Sequence, residues 1–299
     1  MRSLPAGFRA RVRRRLLSWY ARNGRSHLPW RRTTDPYAIL ISEIMLQQTQ
    51  VDRVTPKYET FLARFPDFQA IAGATTADLL RAWEGLGYNS RAVRLKRLAR
   101  TVVEGHDGEL PRDRSELLHL AGIGPYTASA VRAFAFNLND APIDTNVRRV
   151  VDRLLTPAMK RAIGVDRAAR ELVPPRRSHD WNSALMDLGA AVCLSRNPRC
   201  ARCSLRPVCA SAGKLHRRDA KPLPSTGRFE DTDRYARGRI VERLRRLPSG
   251  QRIRLLDLHG ELQPLLKRSP QEFDTLVARL AGDGLLERHG EEVALSGER

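Results

Sequence analysis

Acidic residues are missing from the first 32 positions, which hold ten arginines, and lysine is scarce throughout, supplying six of the 53 basic side chains. Only 33 Asp and Glu oppose them, so the formal net charge is +20. An excess of that size points to a polyanionic partner, with nucleic acid first among them. Residues 85–100 repeat the pattern with five basic residues and no acid. The alternative is a set of solvated helix faces in an arginine-biased composition. No run approaches the roughly 20 apolar residues that cross a bilayer, and the N-terminus lacks a secretory hydrophobic region, so a cytoplasmic chain with no membrane partner is expected. An acid-free, arginine-rich beginning also occurs in organellar transit peptides. Here Phe8, Val12, Leu16 and Trp19 recur at helical spacing and favour a structural basic helix from Phe8 to Tyr20.

Alternating β-branched runs are few in the first 210 residues, whose apolar positions recur at helical spacing, so the chain reads as mostly α. Helices are expected over Pro36–Gln48, Gln50–Phe65, Thr76–Leu86 and Arg91–Glu104, separated by the turn signals Phe65-Pro66-Asp67, Glu84-Gly85-Leu86-Gly87 and Gly105 to Pro111. Residues 211–230 turn polar and irregular and read as a linker. Residues 231–299 differ again. Two amphipathic helices, Arg234–Leu247 and Pro270–Asp283, precede two short strands around Gly290, which suggests a small winged-helix-like module. There is no internal repeat. An apolar fraction of 41% in 299 residues supplies an ordinary core for one large domain or two to three smaller ones.

Cysteine is confined to Cys193, Cys200, Cys203 and Cys209, spaced C-x6-C-x2-C-x5-C. Thiols this close in an intracellular chain more naturally hold a metal or cluster than form disulfides. Tetrahedral zinc usually takes two short C-x2-4-C pairs and only one is present, whereas four thiolates from one irregular loop suit a [4Fe–4S] cubane. Spacing alone leaves both open. Arg196, Arg199, Arg202 and Arg206 make the loop cationic.

Ser115–Leu120 reads as a short helix with Ser115 as N-cap, Gly122-Ile123-Gly124 as a tight turn, and Pro125 as the start of a helix to about Phe136. Glycines at such a helix-hairpin-helix turn let a phosphate approach backbone N–H groups, giving DNA contact without sequence reading. Glu43 stands in the apolar run Ile39–Leu46, where desolvation raises a carboxyl pKa and leaves a neutral acid able to protonate a leaving group. Asp144 precedes a predicted helix, where an ordinary N-cap is the simpler reading. Together the two acids offer what glycosidic cleavage demands, a proton donor and a carboxylate beside a cationic sugar.

Taken jointly, residues 8–210 resemble the helix-hairpin-helix DNA glycosylases with a cysteine-cluster loop, most closely the MutY-type adenine DNA glycosylases. The matching segments are Leu28-Pro29-Trp30-Arg31, Ser42 to Val51, Trp83 to Tyr88, Gly122 to Ala128, Asp144 to Val150, Asp187-Leu188-Gly189-Ala190 and the four cysteines in family spacing. The resemblance implies a mostly α, two-lobed glycosylase fold. Its six-helix barrel would span 29–136 and carry the hairpin; its iron–sulfur domain would combine 1–28 with 137–210. It implies a [4Fe–4S] cofactor, and as partner double-stranded DNA whose mispaired or damaged nucleotide is flipped into a cleft between the lobes. A monomeric, nucleoid-associated enzyme would follow. By the same resemblance Glu43 protonates the purine, Asp144 stabilises the sugar cation, and Tyr126 and Asn146 support them. Trp30, Arg31, Leu46 and Asp187 would line the base pocket, Gln48 and Tyr88 would enter the stack or meet the opposite base, and Gly122 and Gly124 would contact the backbone.

The sequence departs from the pattern at Ala121, where proline is usual, at Thr145, where glycine is usual, and at Asn89, where an aromatic is usual. Residues 231–299 do not resemble the oxidised-guanine-recognition domain of these enzymes. The expected activity is monofunctional excision of adenine opposite 8-oxoguanine or guanine. Two alternatives stand beside it, a thymine or uracil glycosylase acting on mismatches with guanine and a non-catalytic, redox-sensing DNA-binding protein.

Overall fold

A computed structural model describes residues 3–214 and 228–298. Among them the chain runs through α1 (Ala6–Asn23), α2 (Pro36–Leu46), α3 (Val51–Arg64), α4 (Phe68–Gly73), α5 (Thr76–Ala82), α6 (Ser90–Gly105), α7 (Arg114–His119), α8 (Pro125–Phe134), α9 (Thr145–Leu154), α10 (Pro157–Ile163), α11 (Val165–Leu172), α12 (Ser178–Ala191) and α13 (Asp233–Arg245). It closes with β1 (Ile253–Arg254), α14 (Leu255–Leu266), α15 (Pro270–Gly282), β2 (Leu286–His289) and β3 (Glu292–Leu295). Contacts divide it into two units, one of Met1–Glu43, Pro111–His119 and Ile123–Ala220, the other of Ile44–Leu110, Leu120–Gly122 and Lys221–Arg299. Most of the expected linker lies outside the described residues.

The first unit is built on the basic helix. Phe8, Val12, Leu16 and Trp19 are the buried residues of α1, and this stripe joins Val147, Val151 and Leu154 of α9, Leu172 of α11, and Trp181, Leu185 and Leu188 of α12 in one core, while Arg11, Arg14 and Arg22 are exposed. Each such side chain removed from water contributes about 1.5–3 kcal/mol before chain entropy is counted. Arg13 secures the packing by donating to the carbonyls of Glu171, Leu172 and Val173, which α11 cannot satisfy internally. The short helix α7 starts one residue earlier than expected. Its cap is Asp113, whose carboxylate accepts from the backbone N–H groups of Ser115 and Glu116, because a carboxylate one position ahead of Arg114 reaches those amides; Ser115 lies inside the helix and donates its own hydroxyl to the same oxygen.

In the second unit α3 buries Val54, Tyr58 and Phe61, and α6 buries Leu95, Leu98, Ala99 and Val102. Phe61 meets Trp83 edge-on at 5.7 Å and Phe65 at 5.0 Å. Asp67 and Thr75 cap α4 and α5. The same unit contains the C-terminal module. There α13 is capped by Thr232 and α15 by a Ser269–Glu272 capping box. The strands form an antiparallel sheet in the order β1-β3-β2, with Ile253 opposite Val293 and Leu286 opposite Leu295. The order is a helix, a short strand, two helices and a hairpin whose last strand lies centrally, in which α14 and β1 come in addition to the elements expected from the sequence. This module is tied to α5: Ala77 N–H donates to the Ser296 carbonyl at 2.9 Å, and Arg81 pairs with Glu298 at 2.7 Å.

Candidate active site

Asp35 starts α2 by accepting from the N–H groups of Tyr37 and Ala38, with Pro36 at the first helical position. Two turns on, Glu43 is 8% exposed among Ile39, Leu40, Ile41 and Ile44. Burial pushes its carboxyl up to about 7, with the nearby Asp144 charge adding to the rise; the Arg31 guanidinium and a hydrogen bond from Tyr126 pull the other way. Tyr126, in the first turn of α8, is itself held well above the usual phenol range by burial and by Glu43 and Asp144. Glu43, Tyr126, Arg31 and Asp144 are therefore electrostatically coupled within the first unit.

Asp144 is the N-cap of α9, as the simpler reading has it, accepting from Val147 N–H at 2.6 Å. Its other oxygen accepts from the Asn146 amide at 3.0 Å. Asn146 in turn accepts from Arg149 at 2.6 Å, and Arg149 also donates to the carbonyls of Gly189 (2.9 Å) and Cys193 (2.8 Å). The capping carboxylate is thus oriented by a chain of donors that ends on the backbone of the first cysteine. Gly189 is required by this closeness: a Cβ there would stand 2.8 Å from the Asn146 Cβ.

Arg31, on a short 3-10 turn (Pro29–Arg31) with buried Trp30, donates to the Ser183 hydroxyl and lies over the Phe134 ring, and its buried Nε has no hydrogen-bond partner among the described residues. Asp187, 1% exposed, is taken up by Arg25, through its N–H at 2.9 Å and its guanidinium at 2.7 Å, and by Arg31 at 3.6 Å. Gly124 caps α8 ahead of Pro125 with nothing within 4 Å of a would-be Cβ, so its backbone is open to approach.

All four cysteines are free, half-buried thiols around one small cavity shared with Val192, Pro198, Arg153 and Arg206. Burial raises Cys203 to about 11 and raises Cys209, with the other thiols adding to the rise. Arg153 donates to Cys193 Sγ at 3.4 Å and to the carbonyls of Leu194 and Ser195, while Cys209 Sγ donates to the Arg153 carbonyl. Among the described residues no three Cys, His, Asp or Glu converge as ligands of a single ion.

The second unit holds Leu46, Gln48 and Tyr88. Here α2 stops two residues short of the expected Gln48, because Gln48 turns left-handed at φ 56°; Tyr88 does the same at 45° between Gly87 and Asn89. Side chains rarely adopt this backbone without being held. Both turns are held by Arg91, a residue the sequence reading counted with the surface charge. It is 2% exposed, and its guanidinium donates to the carbonyls of Ile44, Met45, Gln47, Leu86 and Gly87 and to the Thr49 hydroxyl, all within 2.7–2.9 Å. The one legible signal was its position on the apolar face of α6, beside Ala92 and Leu95. Arg25 carried no signal, since its partner Asp187 is distant in sequence, and the same holds for the Gly189 and Cys193 carbonyls that Arg149 reaches besides its neighbour Asn146.

Residues 41–175 match the family model described as HhH-GPD superfamily base excision DNA repair protein. The adenine DNA glycosylase of Mycolicibacterium smegmatis is 39% identical over 295 residues, 95% of each chain, and that of Mycobacterium tuberculosis 41% identical over 236 residues, 77% of each. A solved structure of a thermostable thymine-DNA glycosylase superposes with a TM-score of 0.64 at 32% identity, covering 70% of this chain and 98% of that one. The chain belongs to the HhH-GPD superfamily of base excision DNA repair proteins, in its MutY-type family of adenine DNA glycosylases.

Proposed function

We propose that the protein is a monofunctional glycosylase that hydrolyses the N-glycosidic bond of adenine mispaired with 8-oxoguanine or guanine in double-stranded DNA. The observation that carries this reading is Glu43: a buried carboxyl lifted to about 7, beside Tyr126 and in the field of Asp144. Protonated, Glu43 delivers its proton to the purine at N7 and makes the base a neutral leaving group. The C1′–N9 bond breaks with its electron pair going to the base, and the cation left on the sugar is met by the Asp144 carboxylate, which its two donors hold in place. Water then bonds to C1′ and gives up a proton, leaving an abasic site. A phenol at Tyr126 cannot form a Schiff base with the sugar, so strand scission does not follow. Asn146 positions Asp144; Arg31, Trp30 and Asp187 shape the base pocket, with the unpartnered Nε of Arg31 as a free donor; Gly124 meets the phosphate backbone, and Leu46 and Gly122 keep the roles that the resemblance gives them.

Cys193, Cys200, Cys203 and Cys209 line one cavity on one loop, and these four thiols would hold a [4Fe–4S] cluster. When bound, the cluster fixes the loop and supplies a centre of tunable charge. Gln48 and Tyr88 enter the base stack beside the opposite base. The lobes 29–136 and 1–28 with 137–210, a monomeric state and a cytoplasmic, nucleoid-associated location complete the reading; among the described residues no helix is long and apolar enough to cross a membrane.

Single-turnover base release from duplexes carrying A:8-oxoguanine, A:G, T:G and U:G at equal salt tests it. Adenine should leave from the first two, with weak discrimination between them. Efficient release of thymine or uracil with both adenine duplexes intact would replace it by the mismatch-pyrimidine reading, which the thymine-DNA glycosylase likeness keeps in view.

A further inference from the structure

Winged-helix modules commonly read DNA with their third helix and wing, and the charges of this one argue against that use. Residues 231–299 carry thirteen basic and twelve acidic residues, whereas residues 1–230 carry nineteen more basic than acidic ones. The exposed or half-buried face of α15 presents Gln271, Glu272, Asp274 and Thr275, and the β2–β3 turn presents Glu291 and Glu292. With Asp274 paired to Arg288, Glu272 near Arg268 and Arg279 exposed on the same helix, this face carries no basic surplus to attract a polyphosphate. The basic residues concentrate instead on α13, which has five arginines in thirteen positions.

Two arginines at the ends of this helix reach the turn that carries Tyr88. The Arg234 guanidinium lies 3.9 Å from the centroid of the Tyr88 ring and the exposed Phe229 ring flanks it at 5.5 Å. The buried Arg91 guanidinium stands 5.7 Å from the same Tyr88 ring. At the far end of α13 the half-buried Arg245 donates to the Asn89 side chain at 2.6 Å. Asn89 is the position where the family pattern has an aromatic, so an arginine of the C-terminal module takes up a place on the turn that the sequence has left polar.

We propose that the C-terminal module takes part in substrate choice through α13, with Arg234 and Arg245 as positioning residues that hold the Tyr88–Asn89 turn and thereby set how the base opposite the excised one is read. The inference rests on the reading of Tyr88 as a residue that enters the stack. A planar cation stacked on the ring restricts its swing about the side-chain bonds, and the amide held by Arg245 fixes the backbone that follows the left-handed Tyr88. The module then serves in place of a base-reading domain without touching the base.

The test uses the full chain with Arg234→Ala, Arg234→Lys and Tyr88→Ala. Single-turnover excision of adenine opposite 8-oxoguanine and opposite guanine gives a discrimination ratio, 2-aminopurine beside the opposite base reports ring insertion, and the thermal midpoint monitors folding. Arg234 is exposed, so Arg234→Ala should leave the midpoint unchanged. It should lower the ratio about two- to fivefold, the fold-change of an exposed cation–π contact, and weaken the fluorescence response. Arg234→Lys keeps the charge and loses the planar face, so its salt dependence should match wild type while its ratio follows Arg234→Ala. If Tyr88→Ala shifts ratio and fluorescence but Arg234→Ala shifts neither, the proposal is overturned and the Tyr88 reading stands. If Tyr88→Ala shifts neither, the reading fails and the proposal with it.

Discussion

Replacing Glu43 with Gln removes a proton that the folded protein holds and the unfolded chain gives up. The carboxyl moves from 4.5 to about 7 on folding, and at about 1.4 kcal/mol per pH unit this amounts to about 3 kcal/mol. The sign follows from proton binding. Between pH 4.5 and about 7 the native state keeps a proton that the unfolded chain has released, so stability falls as pH rises through that window and the full loss is present above it. A glutamine cannot ionise and escapes the loss. The thermal midpoint of Glu43→Gln relative to wild type should therefore climb from pH 5 to pH 8, even though the variant excises adenine about 10²-fold more slowly or worse. In the wild-type enzyme the same group should give single-turnover excision an acid form active below about 7, with the rate dropping about tenfold per unit well above it. A midpoint difference that stays flat from pH 5 to pH 8 would refute the reasoning, because it would mean that Glu43 ionises as freely in the folded protein as in water.

Tyr126→Phe removes a hydrogen bond that favours the charged carboxylate, so the alkaline fall of the excision rate should shift to higher pH; an unmoved profile would separate the phenol from Glu43. Gly189→Ala forces a methyl to within 2.8 Å of the Asn146 Cβ and should slow excision by displacing Asn146, measured at saturating enzyme, with DNA affinity little changed. Cys203→Ser should lower bound iron and the broad absorbance at about 400 nm in purified protein; zinc without iron in the wild type would contradict the cluster. Borohydride should trap no stoichiometric covalent complex with substrate DNA, and trapping through a residue near the hairpin would contradict the monofunctional reading.

Periodicity found what periodicity can find. The stripe Phe8, Val12, Leu16, Trp19 lies buried as spaced, and Glu43 was visible because a charge inside an apolar run is a contradiction that burial must resolve. The end of α2 was overrun where the chain leaves the helix through the left-handed Gln48, since nothing in that side chain announces such a backbone, and α5 stops at Ala82, four residues short of the expected Leu86. The strand β1 is two residues long and α14 contains Pro264, so neither has a pattern of its own. At Asp144 the simpler reading holds, since its carboxylate caps α9, and the same bond would keep still the carboxylate that the proposed mechanism uses. The arginines were the least legible. Arg91 looked like solvent-facing charge and is 2% exposed, because what buries it is a ring of backbone carbonyls brought together only by folding.

That ring has a kinetic meaning. Gln48 and Tyr88 are set in their uncommon backbone conformations by a single guanidinium before any duplex arrives, so the ordering entropy of both turns is settled once, during folding, instead of at each encounter. On the proposed reading, in which these two residues enter the base stack, probes already shaped would keep each visit brief, because a wrong site is released without a turn having to melt and re-form.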